Sequence, residues 1–450
     1  MPSVIFFTDI SEPEIAFLNE IHDHLARKGI TLRTVVFKDY HKCIKKLKCD
    51  YIYLETFNLF NLSLPRRKKR SINSYNNGFL QKLVLLEKEI NKNCEIDVAD
   101  YERRLNNLVG FVENMAKVAS AYFVMSRSYT AYKVIKKVLA SRNIAFVPFE
   151  KWTFAGTYQF NTYGIEQPRL DSDLKVNGED RYRSLLQKLF LNYKGRHKVN
   201  EEKRTLPEKY VLLLLSDGYG GSYCLKNVEE YWTHGKGWGN DFEALHKVEH
   251  CVREKLPDCK LLVRQHPYTK YRFDKQHLDP QITTLANNFE MDSLVNNADM
   301  IITAPGSISY YAMAKGKKPI IIGNGELCGS KAVKCADSVD ELCAYISGIP
   351  DNKETMHVDR ETVIEATMPY FKNQIWLNGE RLTYRVLDKY IDGKKLTKDN
   401  VLIWQAEKIR IFGHNALVYI KSELFAIFNK IKVPFKKFYR ELKSERSKTA

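Results

Sequence analysis

Residues 300–322 read MIITAPGSISYYAMAKGKKPIII and contain a complete strand–helix–strand unit. Met300–Thr303 is an apolar run typical of a buried strand. A helix is predicted over residues 310–315, and Gly316 ends it before a second apolar strand over residues 319–322. Strands joined in this way by helices form parallel sheets, so the stretch predicts an α/β fold.

The same alternation extends towards the N-terminus from this stretch. Residues 210–215 form a continuous apolar run, residues 242–256 show helical periodicity, residues 260–263 form another apolar run, and residues 291–297 are helical. Strands and helices that alternate at this spacing predict a parallel sheet.

The chain begins with a unit of the same kind. Residues 4–7 form a short apolar strand, and Ser11 and Glu14 make a capping box that predicts the start of a helix. Gly29 stands where a helix commonly ends, and a second strand is predicted over residues 31–37. This pattern predicts a second parallel sheet in the first part of the chain.

A chain of 450 residues is too long for one hydrophobic core, because single cores stop growing at roughly 250–300 residues. We predict two Rossmann-like domains, over residues 1–200 and 206–390, and a basic helical tail over residues 400–450. The charged stretch that ends in EEKRTLP at residue 207 is the predicted linker between the two domains.

The composition narrows the partners and the compartment. Lysine and arginine outnumber aspartate and glutamate by 71 to 54, and the net charge of +17 favours an anionic partner. The nine cysteines are scattered and never spaced as Cys-x-x-Cys, which argues against a zinc site or a disulfide framework and favours a reducing compartment. The first residues lack the features of a signal peptide, and no apolar run is long enough to span a bilayer. We therefore expect a cytoplasmic protein.

Three loops that follow predicted strands of the second domain carry polar groups. In an open parallel sheet, ligands bind at the edge formed by the carboxyl ends of the strands, where these loops begin. The predicted substrate-binding residues are Asp217, Gly218, Arg264, Gln265, His266, Pro267, Gly306, Ser307 and Ser309. The two serines stand at a helix start, where free amides favour a phosphate, and His266 can donate a proton to a leaving phosphate. Each feature alone is also ordinary loop chemistry, because His-Pro pairs form turns and serines cap helices.

Several of these stretches resemble a known family. Residues 261–267 (LLVRQHP), 299–303 (DMIIT), Gly306-Ser307 and 314–319 (AKGKKP) are similar to the donor domain of bacterial capsule polysaccharide biosynthesis glycosyltransferases, which include the β-Kdo transferases. The segment Pro148-Phe149-Glu150 is similar to one in the first half of that family. The resemblance covers the order of elements over residues 1–390. Departures at residues 216–221 and at Tyr310-Tyr311 leave the donor base and sugar open.

This resemblance implies a GT-B fold with an N-terminal acceptor domain and a C-terminal donor domain. It implies a nucleotide sugar as co-substrate, no further cofactor and no metal, because helix dipoles and side chains neutralise the leaving phosphate. Inverting transfer then needs a carboxylate base, for which Glu150 is favoured over Asp9, although either side chain could instead cap a helix or hold a loop. The Asp-x-Asp spacing at residues 171–173 is typical of metal-dependent transferases, but it does not follow an apolar strand, so we predict no metal site.

The tail from residue 401 combines aliphatic and aromatic residues with 11 Lys/Arg against 4 Asp/Glu. This composition favours a helix in the anionic interface of the inner face of the plasma membrane. The alternative is a pair of helices packed on the body of the protein, with a solvated basic end.

The predicted function is therefore the inverting transfer of a sugar, Kdo or a related ulosonic acid from a CMP donor, to a surface polysaccharide or its lipid-linked precursor. Two alternatives remain open. One is a sugar-nucleotide epimerase or hydrolase on the same scaffold. The other is a nucleic-acid-binding protein, which only the net charge favours; because no nucleic-acid motif appears, we expect no nucleic-acid partner.

Overall fold

Strands and helices alternate through most of the part of the chain that the structure describes. The computed structural model describes residues 1–56, 64–65, 97–125, 130–160, 179–193, 202–215, 238, 241–266, 273–323, 327–347, 356–392, 400–417, 419–420 and 423. In chain order the strands are β1 (Ser3–Ile10), β2 (Thr31–Asp39), β3 (Asp50–Tyr53), β4 (Ala121–Met125), β5 (Phe146–Lys151), β6 (Thr157–Phe160), β7 (Tyr210–Leu214), β8 (Lys260–Arg264), β9 (Thr283–Leu285), β10 (Met300–Thr303), β11 (Ile320–Ile322), β12 (Lys334–Ala336) and β13 (Ile375–Leu377).

The helices lie between these strands. They are α1 (Glu12–Arg27), α2 (Val98–Met115), α3 (Thr130–Ser141), α4 (Glu179–Leu191), α5 (Asp241–Lys255), α6 (Met291–Asn297), α7 (Ser307–Ala314), α8 (Val339–Ser347), α9 (Arg360–Gln374) and α10 (Arg385–Ile391). A further helix, named here the C-terminal helix, covers residues 401–417, and residues 419 and 420 are helical as well.

The first sheet has seven strands in the order β13-β6-β5-β4-β1-β2-β3. β1 lies inside the sheet and pairs in parallel with β2 on one side and with β4 on the other. β3 and β5 extend the parallel part, whereas β6 pairs antiparallel with β5 and β13 pairs antiparallel with β6. The strand order therefore reverses between β1 and β4, which is the position where open α/β sheets bind ligands.

The second sheet has six strands in the order β12-β11-β10-β7-β8-β9, and all of its pairs are parallel. The chain runs from β7 to β8 and β9, and then returns to the other side of β7 with β10. The order therefore reverses between β7 and β10. Two such sheets confirm the predicted α/β fold of two Rossmann-like domains.

The capping box predicted at the start of the first helix is confirmed. The backbone N–H of Ser11 donates to Glu14 Oε2 at 3.0 Å, and both halves of the box are present. The helix ends at Arg27, and Gly29 follows with a φ of 70°, a conformation that glycine adopts without strain. The cap and the glycine thus fix both ends of α1, so that its apolar stripe lies on β1 and β2.

The last described segments return to the first domain. β13 adds a strand to the first sheet, and Trp376 and Leu387 are buried in the same apolar core as Phe6. The second domain was expected to run to residue 390, whereas β13 pairs with the first sheet and α10 packs in the core of the first domain. The sequence could not indicate this, because the contacts join residues that are far apart in the chain. The ring of Tyr390, for example, lies 6.5 Å from that of Phe160 and covers an apolar face of the first sheet.

Helix α10 is held on α1 by a small charged cluster. His24 Nε2 and Lys28 Nζ each lie 2.7 Å from Asp388 Oδ1, and Lys28 also contacts Asp392 at 3.0 Å. Burial raises the pKa of Asp388, but the hydrogen bonds from His24 and Lys28 outweigh it and leave the pKa below its ordinary value of 3.8. The cluster therefore stabilises the folded state in its ionised form.

We expect Asp388→Asn to weaken this contact near neutral pH and to flatten the acid dependence of stability. The folded pKa of Asp388 is lower than the unfolded one, so its contribution is complete above about pH 4 and is lost as the pH falls through the folded pKa. Urea unfolding measured from pH 7 to pH 2.5 should show wild type and variant converging in acid. Asp258→Asn, at an exposed position outside this cluster, is the control. Its free energy of unfolding should have the same pH dependence as that of wild type. A constant gap between wild type and Asp388→Asn across this range would contradict the assignment.

The expectation of no disulfides is wrong for two pairs of cysteines. The structure has a disulfide between Cys251 and Cys343 and another between Cys328 and Cys335. The members of the first pair lie 92 positions apart in sequence, and the 7 positions between Cys328 and Cys335 match no recognised cysteine motif. Because disulfides persist in oxidising environments, the cysteines no longer favour a reducing compartment.

The C-terminal helix packs against the first sheet through one side. Trp404 and Ile411 are buried there, with 0% and 2% of their surface exposed. Trp404 Nε1 donates to Asp50 Oδ2 at 2.7 Å, and the Arg33 guanidinium lies 5.0 Å from the centre of the Trp404 ring. Among the described residues, no helix has both the length and the apolar character to cross a bilayer.

Candidate active site

The start of α7 lies beside the point where the strand order of the second sheet reverses. β10 ends at Thr303, and the backbone N–H of Ala304 donates to the carbonyl of Leu214 at the end of β7, at 2.9 Å. Three residues later α7 begins at Ser307. The helix N-terminus is therefore held at the carboxyl edge of the sheet, where a phosphate-bearing ligand is favoured by both the topology and the helix dipole.

Gly306 is the N-cap residue of α7 and has a φ of 145°, which favours glycine. A Cβ built on Gly306 would meet no atom within 4 Å, so the space over this residue is open among the described atoms. Within the same described part of the chain, the backbone amides of Ser307 and Ile308 have no hydrogen-bond partner. Two amide donors at a helix start, beside open space, form an anion-binding geometry.

The two serines of this loop have different surroundings. Ser309 is buried, and its Oγ lies 2.9 Å from Thr303 Oγ1, so it ties α7 to the end of β10. Ser307 is half-buried, and its carbonyl accepts a hydrogen bond from the Tyr193 hydroxyl at 3.2 Å. Ser307 therefore remains the serine with access to a ligand, whereas the Ser309 hydroxyl holds the loop.

The loop after β8 shows a similar division. Arg264 is buried and donates to the carbonyl of Phe289. Gln265 is 2% exposed, and its Oε1 accepts from the backbone N–H of Phe273 at 2.8 Å. His266 follows and is half-buried. Arg264 and Gln265 thus shape the loop, and His266 is the member of the group that is not fully buried.

The strand order brings His266 and Ser307 to the same edge. β8 and β10 are the two neighbours of β7, and strands in a sheet lie about 4.8 Å apart, so the ends of β8 and β10 lie roughly 10 Å apart. That span suits a nucleotide with its phosphates. Three predicted binding residues, Asp217, Gly218 and Pro267, lie outside the described residues, as does the Asp-x-Asp stretch at residues 171–173.

Asp9 lies near the carboxyl end of β1, beside the strand-order reversal of the first sheet. It is 2% exposed, and the Tyr132 hydroxyl donates to its Oδ1 at 3.4 Å. The hydroxyl of the neighbouring Thr8 contacts Met125 Sδ at 3.7 Å across the β1–β4 boundary. Asp9 is in the topologically expected place, but as a buried carboxylate it has little access to a large acceptor.

Glu150 lies near the end of β5 and is half-buried. It pairs directly with Gln159 of β6, which in turn pairs with Ile375 of β13, so the three residues point to one face of the sheet. Its neighbour Lys151 faces the other side and forms an ion pair with Glu14 of α1. Glu150 therefore points away from α1, on the face where Ile375 packs into an apolar cluster shared with α7.

An aromatic cluster joins the end of β5 to the second domain. The Trp152 ring lies 5.5 Å from that of Tyr310, which is one turn after Ser307 in α7, and the Phe154 ring lies 6.0 Å from the same Tyr310 ring. Sequence reasoning missed this junction, because aromatic residues in loops carry no periodic signal. The cluster brings β5, and with it Glu150, to the same junction as the start of α7.

The described residues contain no group of three or more His, Cys, Asp or Glu side chains placed to hold a metal ion. Behind α7, Asp292 accepts a hydrogen bond from the Tyr311 hydroxyl at 2.5 Å and forms an ion pair with Lys315. The hydrogen bond from Lys315 lowers the pKa of Asp292, with a further contribution from Tyr311. These contacts fix α7 from the side away from its start.

Two Rossmann-like domains in tandem, with the end of the chain crossing back to the first, define a protein of GT-B-like organisation. No protein-family model and no curated protein matches the sequence. A search of solved structures returns both glycosyltransferases and epimerases, at low identity and with TM-scores below 0.4.

Three of these structures illustrate the range. The β-Kdo 2,4 transferase KpsC of Thermosulfurimonas dismutans is 14% identical, with a TM-score of 0.34, over 56% of this chain and 87% of that chain. Alr3699/HepE of Anabaena, solved in complex with UDP, is 11% identical, with a TM-score of 0.37, over 86% and 99%. A putative UDP-N-acetylglucosamine 2-epimerase of Listeria monocytogenes is 10% identical, with a TM-score of 0.36, over 89% and 99%.

Proposed function

We propose that this protein is a glycosyltransferase that binds a nucleotide sugar at the carboxyl edge of its second sheet. The observation that carries the proposal is the start of α7, where the amides of Ser307 and Ile308 adjoin the open space over Gly306. A diphosphate or monophosphate bound there would accept hydrogen bonds from both amides, and the positive end of the helix dipole would stabilise its negative charge. No metal is needed for this, because the amides and dipole neutralise the leaving phosphate as the sugar departs.

In this proposal His266 and Glu150 have complementary roles. His266, at the end of the neighbouring strand, donates a hydrogen bond or a proton to the phosphate oxygen that leaves. Glu150, brought to the junction by the Trp152 cluster, accepts the proton of the attacking acceptor hydroxyl. Arg264 and Gln265 act by holding the loop on which His266 stands.

The finer identity of the substrates rests on the sequence resemblance. It favours a CMP-linked ulosonic acid such as Kdo as donor, and a capsular or surface polysaccharide, or its lipid-linked precursor, as acceptor. A donor of this kind and a lipid-linked acceptor would place the reaction at the cytoplasmic face of the membrane. The disulfide pairs would then be held as thiols unless they are shielded from reductants.

A sugar-nucleotide epimerase or hydrolase is the second candidate, because its nucleotide-sugar substrate would also present phosphates to the start of α7. Product analysis separates the two. Incubation with a nucleotide sugar alone would yield an epimer or a free sugar if this second function is correct, whereas a transferase would leave most of the donor unchanged until an acceptor is added.

The anion site is tested by Ser307→Asp. A carboxylate at the first helical position interacts favourably with the helix dipole. We therefore expect the nucleotide-free variant to have the same melting temperature as wild type or a slightly higher one. The same charge repels a phosphate. Wild type with a saturating nucleotide (CMP, UDP or GDP at about 100 times its Kd) should gain about 5 °C, and Ser307→Asp should gain none. Differential scanning fluorimetry makes the comparison.

Ser307→Asn is the matched control, since it has nearly the same shape as the aspartate without its charge. It should retain most of the nucleotide-dependent gain. If no nucleotide stabilises wild type, or if Ser307→Asp responds as fully as Ser307→Asn, the phosphate is not bound at α7 and the proposed function loses its support.

A further inference from the structure

We propose that the outward side of the C-terminal helix is a docking surface for an anionic lipid bilayer. This surface, named here the apolar face, consists of Leu402, Ile409, Phe412, Leu417 and Ile420. These five side chains are 51–83% exposed, in a protein whose other large apolar side chains are mostly buried. The inference needs neither a nucleotide nor a sugar and is independent of the proposed function.

Helical geometry places the apolar face on one continuous side. At about 100° per residue, its five members fall within an arc of about 140°. The other residues of that arc between positions 402 and 420 are Gln405, Ala406, Gly413 and Ala416, all of them exposed and uncharged. From Leu402 to Leu417 an uncharged strip runs along the helix for about 22 Å, at 1.5 Å per residue, which is the form of a helix that lies in a membrane interface.

The opposite side of the helix is fixed to the protein. Trp404 and Ile411 are buried in the core of the first domain, and Asn114 donates to the buried Glu407 at 2.6 Å. Lys408 forms an ion pair with Asp50, which also accepts the hydrogen bond from the Trp404 indole. The helix therefore cannot rotate to bury the apolar face against its own domain without breaking these contacts.

The charge that follows the apolar face identifies the partner. Residues 421–450 contain nine Lys/Arg and three Glu, and the whole protein carries a net charge of +17. Apolar side chains next to clustered lysines and arginines match a bilayer that contains anionic lipid, because the apolar part enters the interface while the cations bind head groups. A second copy of the chain is a poor occupant, since it would bring the same positive charge to the contact.

The test is flotation of the 450-residue protein with vesicles of phosphatidylcholine containing 30% phosphatidylglycerol, compared with vesicles of phosphatidylcholine alone. We expect the wild type to bind the anionic vesicles at least tenfold more strongly than the neutral ones, and to lose most of this preference in 0.5 M salt. The double variant Ile409→Ser/Phe412→Ser should reduce binding to anionic vesicles by at least tenfold. Both side chains are exposed, so the thermal unfolding of the variant should match that of the wild type.

Tyr40→Ser/Leu191→Ser is the matched control, because it removes one exposed aromatic and one exposed aliphatic side chain elsewhere on the protein. Its vesicle binding should stay within twofold of wild type. Equal binding of the two double variants, or no wild-type binding to anionic vesicles, would overturn the proposal. So would a wild-type dimer in sedimentation velocity that Ile409→Ser/Phe412→Ser converts to a monomer, because the apolar face would then be an interface between copies.

Discussion

Glu150→Gln should lower the rate of sugar transfer by about 100-fold or more while leaving nucleotide binding intact. A positioned general base contributes about 10²–10⁴ to a rate, and glutamine keeps the shape of the side chain while removing its proton-accepting charge. The side chain is half-buried and faces away from α1, on the face of the sheet where Ile375 packs with α7. Initial rates with the nucleotide sugar identified by thermal shift, at saturating acceptor, give the comparison.

Asp9→Asn provides the contrasting variant. Asp9 is 2% exposed and accepts a hydrogen bond from the Tyr132 hydroxyl. Its replacement should therefore lower the melting temperature, whereas the rate per folded molecule should change by less than tenfold. If Asp9→Asn abolishes transfer in a stable protein and Glu150→Gln does not, the base is Asp9. If neither variant changes the rate by tenfold, neither carboxylate is the base.

Trp404→Ala should lower the free energy of unfolding by about 3–5 kcal/mol, the cost of truncating a fully buried tryptophan. The substitution removes the ring against which the Arg33 guanidinium packs and the indole N–H that donates a hydrogen bond to Asp50. Among the described residues, Asp50 then keeps its ion pairs with Arg33 and Lys408 but loses the indole hydrogen bond. Equilibrium unfolding in guanidinium chloride, followed by far-ultraviolet circular dichroism, measures the change.

Leu402→Ala, on the same helix, is the control. Leu402 is 83% exposed, so its truncation should change stability by less than about 0.5 kcal/mol. A Trp404→Ala variant as stable as Leu402→Ala would mean that the C-terminal helix does not pack on the first domain in solution. In that case the orientation of the apolar face would be undefined.

Much of the fold is predictable from sequence because its signals are local. The capping box at Ser11, the glycine after α1 and the apolar runs of β7 and β10 each act within a few positions. β13 was not predicted, since a three-residue strand has no periodicity and its pairing with β6 joins positions more than two hundred residues apart. The Cys251–Cys343 pair and the contacts of Trp404 with Asp50 and Arg33 could not be predicted for the same reason, because their partners are distant in sequence. Cys328 and Cys335 lie only 7 positions apart, but that spacing alone does not indicate a disulfide.

The candidate site was predictable as a set of loops, but not residue by residue. Topology places Gly306, Ser307 and His266 at one edge of the sheet, as the sequence indicated. Whether a polar side chain in such a loop faces a ligand or holds the backbone depends on neighbours that sequence cannot supply. Gln265 bonds the amide of Phe273 and Ser309 bonds Thr303, and neither partner is recognisable from the local motif.

The return of the chain to the first sheet affects the order in which the protein can be made. During synthesis the ribosome releases β1 long before β13 and the C-terminal helix, so the first domain must wait for almost the whole chain before its edge strand and its last core residues arrive. The second domain, whose six strands all lie between residues 210 and 336, is complete earlier. We therefore expect the domain that is translated second to finish folding first, and the nascent first domain to depend most on chaperones.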